Sequence, residues 1–235
     1  MNGRWIERSS IPPDKARYGA FTVLAEEAEN AVRELIEQAC SEPSGTEARK
    51  VGDLYASFMD EAAVEEAGLG RLRELIAGIE ASAAGGHDGL ASELGRIEGL
   101  GVSGLWSLFV DNDPGDPERY VLFVEQGGIS LPDESYYRLP EFAQIQEAFV
   151  AHLERVFALV GLSNPARRAA AVMAFEATLA ASHWDNVRSR DAEATYNLWP
   201  GDRWAAALDG FPFSSWRAQA QLPESAVVEV VIRQP

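Results

Sequence analysis

Between Phe21 and Ala39 the apolar residues Phe21, Leu24, Ala28, Val32, Leu35, Ile36 and Ala39 recur three or four apart, while Glu26, Glu29, Arg33 and Glu37 occupy other positions. That period predicts one amphipathic helix with a buried stripe. Beyond Pro43, Ser44 stands three residues before Glu47, a spacing that allows serine and glutamate to cap the first free amides of a helix reciprocally. The helix that follows is expected to turn Val51, Leu54, Tyr55, Phe58 and Met59 inward. Leu69 to Ile79 continues the helical period. The glycines after it and Asp88 mark a loop before another helical stretch around Leu90 to Leu100.

The period then changes. Leu105 to Val110 and Tyr120 to Val124 are short runs rich in aromatic and β-branched residues, and Asp111 to Arg119 between them predicts a hairpin with a long turn. Helical spacing returns at Phe142, Ile145, Phe149, Leu153, Val156, Phe157 and Val160, with Gly161 as C-cap. Asn164-Pro165 is a good start for the next helix, with Val172, Met173, Leu179 and Ala180 on its buried side. From Asn197 the chain is rich in Trp, Pro and Gly, and Ala226 to Ile232 reads as a strand. No repeat or low-complexity linker interrupts it. The fold class expected is mainly α, one helical unit over residues 1–235 with a small β-hairpin.

A chain of 235 residues, 46% hydrophobic and 24% charged, can bury a full core. Its net charge of −17 repels phosphate backbones and anionic lipid, which argues against nucleic acid or membrane partners. No apolar run reaches bilayer length, and Met1 to Ile11, with Arg4, Glu7 and Arg8, lacks a signal-peptide core. A soluble protein is expected, cytoplasmic or exported without a recognisable signal. The lone Cys40 allows no internal disulfide and no Cys-rich metal site.

Catalytic zinc usually takes two of its ligands from His-Glu-x-x-His on one helix. His87, His152 and His183 stand far apart and none begins that motif. His152 falls beside Phe149, Leu153 and Val156 and reads as a core histidine; His183, next to Trp184, reads as structural. Asp111, Asp113 and Asp116 cluster carboxylates that could hold calcium, but Gly115 breaks the EF-hand spacing and a solvated turn is the plainer reading. No nucleophile elbow or phosphate-cradling glycine loop is present. Glu176, on the side of Val172 and Leu179, is expected to be a partly buried carboxylate paired with Arg188 or Arg190. From the residues alone, the reading is a soluble helical domain.

Several patterns in order add to this. Asn2-Gly-Arg-Trp5, Ile11-Pro-Pro-Asp-Lys15 and Arg17-Tyr-Gly-Ala-Phe21 resemble the opening of neprilysin-like zinc metallopeptidases, the neprilysin and endothelin-converting enzyme type, bacterial members included. The resemblance continues through Lys50 to Glu61 (KVGDLYASFMDE), Leu131-Pro-Asp-Glu-Ser-Tyr-Tyr137, Glu176-Ala-Thr-Leu-Ala180, Arg190-Asp191 and Tyr196-Asn197. It implies the non-catalytic amino-terminal region of a metalloendopeptidase for short peptides, a helical lobe that covers the substrate chamber. Zinc and its ligands then belong to a later, carboxy-terminal catalytic domain of the full-length parent, and the partners are that domain and a peptide substrate.

The resemblance also implies that both ends are truncations, that this part alone binds no zinc and cleaves nothing, and that apolar residues near the ends face solvent or an oligomer. It carries one site residue across. The arginine of Arg-Tyr-Gly-x-Phe, here Arg17, faces substrate and engages a peptide carboxylate, a task that suits the guanidinium fork. A second arginine of that pattern is Ala25 here. Two other readings stay open, a stand-alone acidic helical binding module and a calcium-dependent module using Asp111 to Asp116.

Overall fold

The computed structural model describes residues 3–8 and 10–235; Asn2 of the Asn2-Gly-Arg-Trp5 pattern lies outside them. The chain forms two compact units, one ending at Gly68 and the other running from Leu69 to Pro235.

The first unit holds α1 (Gly3–Arg8), α2 (Ala20–Ala39), α3 (Glu47–Met59) and α4 (Glu61–Ala67); α2 and α3 follow the predicted period, while the short α1 and α4 have no counterpart in it. The two long helices meet through small residues. A Cβ on Gly52 would lie 2.5 Å from the Ala39 carbonyl carbon and the Cys40 nitrogen, so glycine alone permits this approach. Around that contact the Cys40 thiol donates to the Gly52 carbonyl (3.4 Å), and Arg49 reaches the Cys40 carbonyl (2.8 Å) and Asp53 (2.7 Å). The cap of α3 is Thr46, whose hydroxyl accepts from the Arg49 amide at 3.1 Å, and not Ser44. The third helical position is therefore Arg49, an acceptor-free side chain, so no reciprocal box forms.

The stripes of α2 and α3 are not buried as expected. Phe21 is 89% exposed and Phe58 81%, and Leu24, Val32, Leu35, Leu54 and Met59 are also exposed. The reason is geometric: the helices touch at Ala39 and Gly52, and only those positions are buried on them.

The second unit holds α5 (Gly70–Ser82), α6 (Gly86–Gly99), β1 (Trp106–Asp113), β2 (Asp116–Gln126), α7 (Ser135–Arg138), α8 (Ala143–Leu159), α9 (Pro165–Ala180), β3 (Asn197–Pro200), α10 (Gly201–Ala207), α11 (Phe213–Gln219) and β4 (Glu229–Ile232). Asp88 lies in the first turn of α6 rather than in a loop. The mainly helical class holds, and the hairpin β1–β2 is part of a four-stranded sheet of order β1-β2-β4-β3. Strand β4 runs parallel to β2, Leu122 to Val124 opposite Val230 to Ile232, and antiparallel to β3.

Alternate β4 residues serve opposite faces. Val230 and Ile232 join Leu122, Val124, Ala91, Trp204 and Trp216 in the larger core, while Val231 packs with Val121 and Phe123 on the other side. Trp216, fully buried, meets Trp106 edge-on at 5.0 Å, and Trp106 also meets Phe211 and Trp204. Helix α11 approaches α6 closely because residue 95 is glycine: a Cβ there would lie 2.2 Å from the Trp216 carbonyl oxygen.

Helix α8 ends at Leu159 with Val160 as its C-cap, and the expected stop, Gly161, follows one residue later in a left-handed conformation (φ 80°). Its neighbour α9 starts at Pro165, but Asn164 is left-handed (φ 54°) and makes no side-chain cap. His152 is exposed while Leu153, Val156 and Phe157 are half-buried, so it lies outside the α8 packing face and is not a core histidine.

The hairpin turn is also tighter than predicted, because β1 and β2 extend to Asp113 and Asp116. Asp113, 1% exposed, accepts from Arg119 (2.6 and 2.8 Å), the Tyr196 hydroxyl (2.6 Å) and the Gly115 amide (2.8 Å). Arg119 also bonds Glu229 of β4 at 2.5 Å. Asp113 is thus a buried carboxylate whose oxygens accept from four donors, linked through the partly exposed Arg119 to Glu229, and the turn is not simply solvated. Among the described residues no helix is long and apolar enough to cross a membrane.

The Tyr196 hydroxyl, with Gly115 and Arg119, holds the Asp113 carboxyl below its ordinary value of 3.8. Its stabilisation is therefore present above that value and is lost as pH falls through the lowered one. Asp113→Asn is expected to cost about 2 kcal/mol at neutral pH. Thermal melts of both proteins at several pH values should converge in acid.

Candidate functional site

Arg17 lies in the irregular segment just before α2. Its neighbours are fixed: Lys15 pairs with Glu26 (3.3 Å), and the Tyr18 hydroxyl donates to the same carboxylate at 2.8 Å. A hydrogen bond to Glu26 and its charge raise the Lys15 pKa, and the Tyr18 hydroxyl's own bond to Glu26 raises that of Tyr18. Arg17 itself is exposed, and among the described residues its side chain has no ion-pair or hydrogen-bond partner.

The adjacent helix end is uncapped. Gly19 is extended (φ −158°) and makes no side-chain cap, and no acidic residue occupies the first turn of α2. Since the first helical bond runs from the Val23 amide to the Gly19 carbonyl (3.1 Å), the amides of Ala20, Phe21 and Thr22 have no intrahelical acceptor. Together with Arg17 they border an open cavity of about 410 Å³ whose wall includes Tyr18 and Phe21. Positive charge and free amides at a helix start suit an oxyanion.

In the second unit the Leu131 to Tyr137 pattern forms a hydrogen-bonded hub with Glu176. The buried Glu176 carboxylate accepts from the Ser130 hydroxyl (2.7 Å), the Ser130 amide (3.1 Å) and the Tyr137 hydroxyl (2.5 Å). No cation joins it. Arg188 stacks on the Trp184 ring at 3.5 Å and Arg190 is exposed, so the expected ion pair is replaced by neutral donors. Tyr137 in turn accepts from the Leu131 amide (2.9 Å), and burial with the Glu176 bond pushes it up to about 12.

Asp133 caps the same turn, accepting from the Ser135 amide (2.9 Å) and from Asn186 (2.7 Å). Glu134, Tyr137, Arg138, His183 and Asp185 line a cavity of about 500 Å³ beside it. Burial lowers His183, partly offset by the Gly127 backbone. A tyrosine held this high stays a neutral donor near neutrality, and the hub's hydrogen bonds hold α7 and the Ser130 loop against α9. The sequence flagged Glu176 and the tyrosine pair separately; their 39-residue separation carries no local signal that they meet.

Among the described residues no group of three His, Cys, Asp or Glu could hold a metal ion.

Peptidase family M13 matches residues 1–235, the whole of this sequence. The chain belongs to that family, the neprilysin-like zinc metallopeptidases, and corresponds to its amino-terminal part. It is 29% identical to rat (Rattus norvegicus) endothelin-converting enzyme-like 1 over 83% of this chain and 27% of that protein. It is 27% identical to guinea-pig (Cavia porcellus) endothelin-converting enzyme 1 over the same shares. Among solved structures, the Mycobacterium tuberculosis zinc metalloprotease ZMP1 in its open state superposes with a TM-score of 0.91 at 41% identity, covering 100% of this chain and 37% of that one. The chain thus spans roughly a quarter to two fifths of the length of these relatives.

Tyr137→Phe removes the acceptor of the Leu131 amide and the hydroxyl donor to Glu176. It is expected to lower stability by about 2 kcal/mol in chemical denaturation, with faster hydrogen exchange at Leu131. Unchanged stability and exchange would show that the hub is incidental.

Proposed function

We propose that this chain is the amino-terminal region of a zinc metalloendopeptidase that hydrolyses short peptides, and that Arg17 binds the free carboxylate of a substrate. The reading rests on the family match along the whole chain together with one geometric observation: an exposed Arg17, without a partner among the described residues, beside the uncapped start of α2. A carboxylate there accepts charge-assisted bonds from the guanidinium fork and lies at the positive end of a 20-residue helix. Phe21, exposed on the same cavity wall, offers an apolar face to the residue that carries it.

In this reading the region covers the substrate chamber, and the zinc of the full-length parent is held by its carboxy-terminal catalytic domain. None of the three histidines here begins a His-Glu-x-x-His motif. A second reading, a stand-alone acidic binding module, draws on the exposed apolar stripes of α2 and α3.

In the full-length parent, Arg17→Met is expected to slow turnover of short peptides with a free carboxylate by about 10- to 100-fold, the equivalent of roughly 1.5 to 3 kcal/mol. Amidated substrates should be hardly affected, since a folding defect would slow both alike. Ala25 is apolar, so no arginine at that position compensates. Equal losses on both forms, or none, would leave Arg17 as a surface residue.

The 235-residue chain alone is expected to bind no stoichiometric zinc and to cleave no peptide. Metal analysis combined with a fluorogenic peptide assay checks this. One tightly bound zinc with chelator-sensitive cleavage would contradict it.

A further inference from the structure

Glu98 is a half-buried carboxylate with no cation. It lies in the last turn of α6, where one oxygen accepts from the Trp216 indole N–H at 2.6 Å. The other oxygen packs on Gly104 so closely that a Cβ there would lie 1.9 Å away. Among the described residues no Lys, Arg or His lies within ion-pair distance, in contrast to Glu93 one turn earlier, which Arg96 holds at 2.5 Å. Burial raises Glu98 above the ordinary carboxyl range, only partly countered by the Trp216 bond. The negative end of the α6 dipole adds to the cost of this anion.

Beside the carboxylate is a cavity of about 300 Å³ walled by Gly101, Ser103, Gly104, Trp106 and Ser107. It combines a half-buried carboxylate, a helix carboxyl end, two hydroxyl-bearing residues and an indole with an apolar side formed by Val102, Leu108 and Leu222. We infer that this cavity is a binding site for an organic cation, an alkylammonium or guanidinium group, with Glu98 as counter-ion and Trp106 as the aromatic wall. Such a group satisfies the carboxylate by charge-assisted hydrogen bonds and the indole by cation–π attraction. A hard metal ion wants six or more oxygen ligands, and no cluster of three acidic or His side chains exists here among the described residues.

The cation can be a peptide side chain or a free amine, and the test separates them. Titrate the chain with acetyl-arginine amide, acetyl-lysine amide and n-butylammonium at constant ionic strength, with acetyl-norleucine amide and potassium chloride as controls. Tryptophan fluorescence reports binding through Trp106 and Trp216. Saturable binding of the cationic probes and not of the controls is expected; butylammonium matching the amino-acid amides points to free amines, weaker butylammonium to peptide side chains.

Glu98→Gln keeps an acceptor for the Trp216 N–H and removes the charge, so it should weaken binding by about tenfold or more without loss of thermal stability. Ser103→Lys places a tethered ammonium at the rim and should abolish probe binding while raising the melting temperature. Binding unchanged in Glu98→Gln, or no saturable binding of any cation by the unmodified chain, would overturn the inference.

Discussion

The pairing of β4 with β2 is the constraint on which the second unit rests. Four residues, Glu229 to Ile232, lie between β2 and β3 and complete both faces of the sheet, with Val230 and Val231 fully buried. Without them Leu122 and Val124 lose their neighbour on one face and Val121 and Phe123 theirs on the other. The Arg119–Glu229 bond fastens the same strand to the hairpin turn, across 110 residues of sequence. Closing so long a loop costs entropy that only the completed sheet and its aromatic core offset.

That core also positions the chemistry. Trp216 packs on Trp106 and donates to Glu98, so the sheet, α6 and α11 meet around one indole pair. The Glu176 hub does for α7 and α9 what the Asp113 network does for the hairpin: each buries one carboxylate and satisfies it with several donors. The difference lies in charge. Among the described residues Asp113 has Arg119, Glu176 has neutral donors alone, and Glu98 has a single indole N–H. The first unit is built otherwise, with two long helices joined at a glycine contact and their larger apolar residues facing outward.

What the sequence made legible was local. Helical period placed α2, α3, α8 and α9 because 3.6-residue spacing is written into neighbouring residues, and β-branched runs placed β1 and β2. It did not show which faces become buried: the α2 stripe has the right period, yet Phe21 and Leu35 are exposed. The Asp111 to Arg119 segment read as a loop because its composition is that of a turn, whereas Asp113 is held in the strand by Arg119 and Tyr196. Thr46 replaced Ser44 as a cap through a shift of two residues. The tryptophan core was seen only as composition, since contacts such as Trp106 with Trp216 are set by tertiary packing. Arg17 came from family resemblance, and its uncapped helix neighbour emerged only from the backbone.

Native-state hydrogen exchange measures most directly whether the β2–β4 pairing carries the second unit. The account predicts that the slowest amides of residues 69–235 belong to Leu122, Val124 and Val230 to Ile232 and exchange only by global opening, with the buried turn of α11 around Trp216 close behind. It further predicts that Val231→Ala accelerates exchange at all of them together, in step with its loss of global stability. Slow exchange that persists in α8 and α9 while the β4 amides exchange early would contradict it, placing the stability of the unit in the helices and leaving the sheet a dependent part.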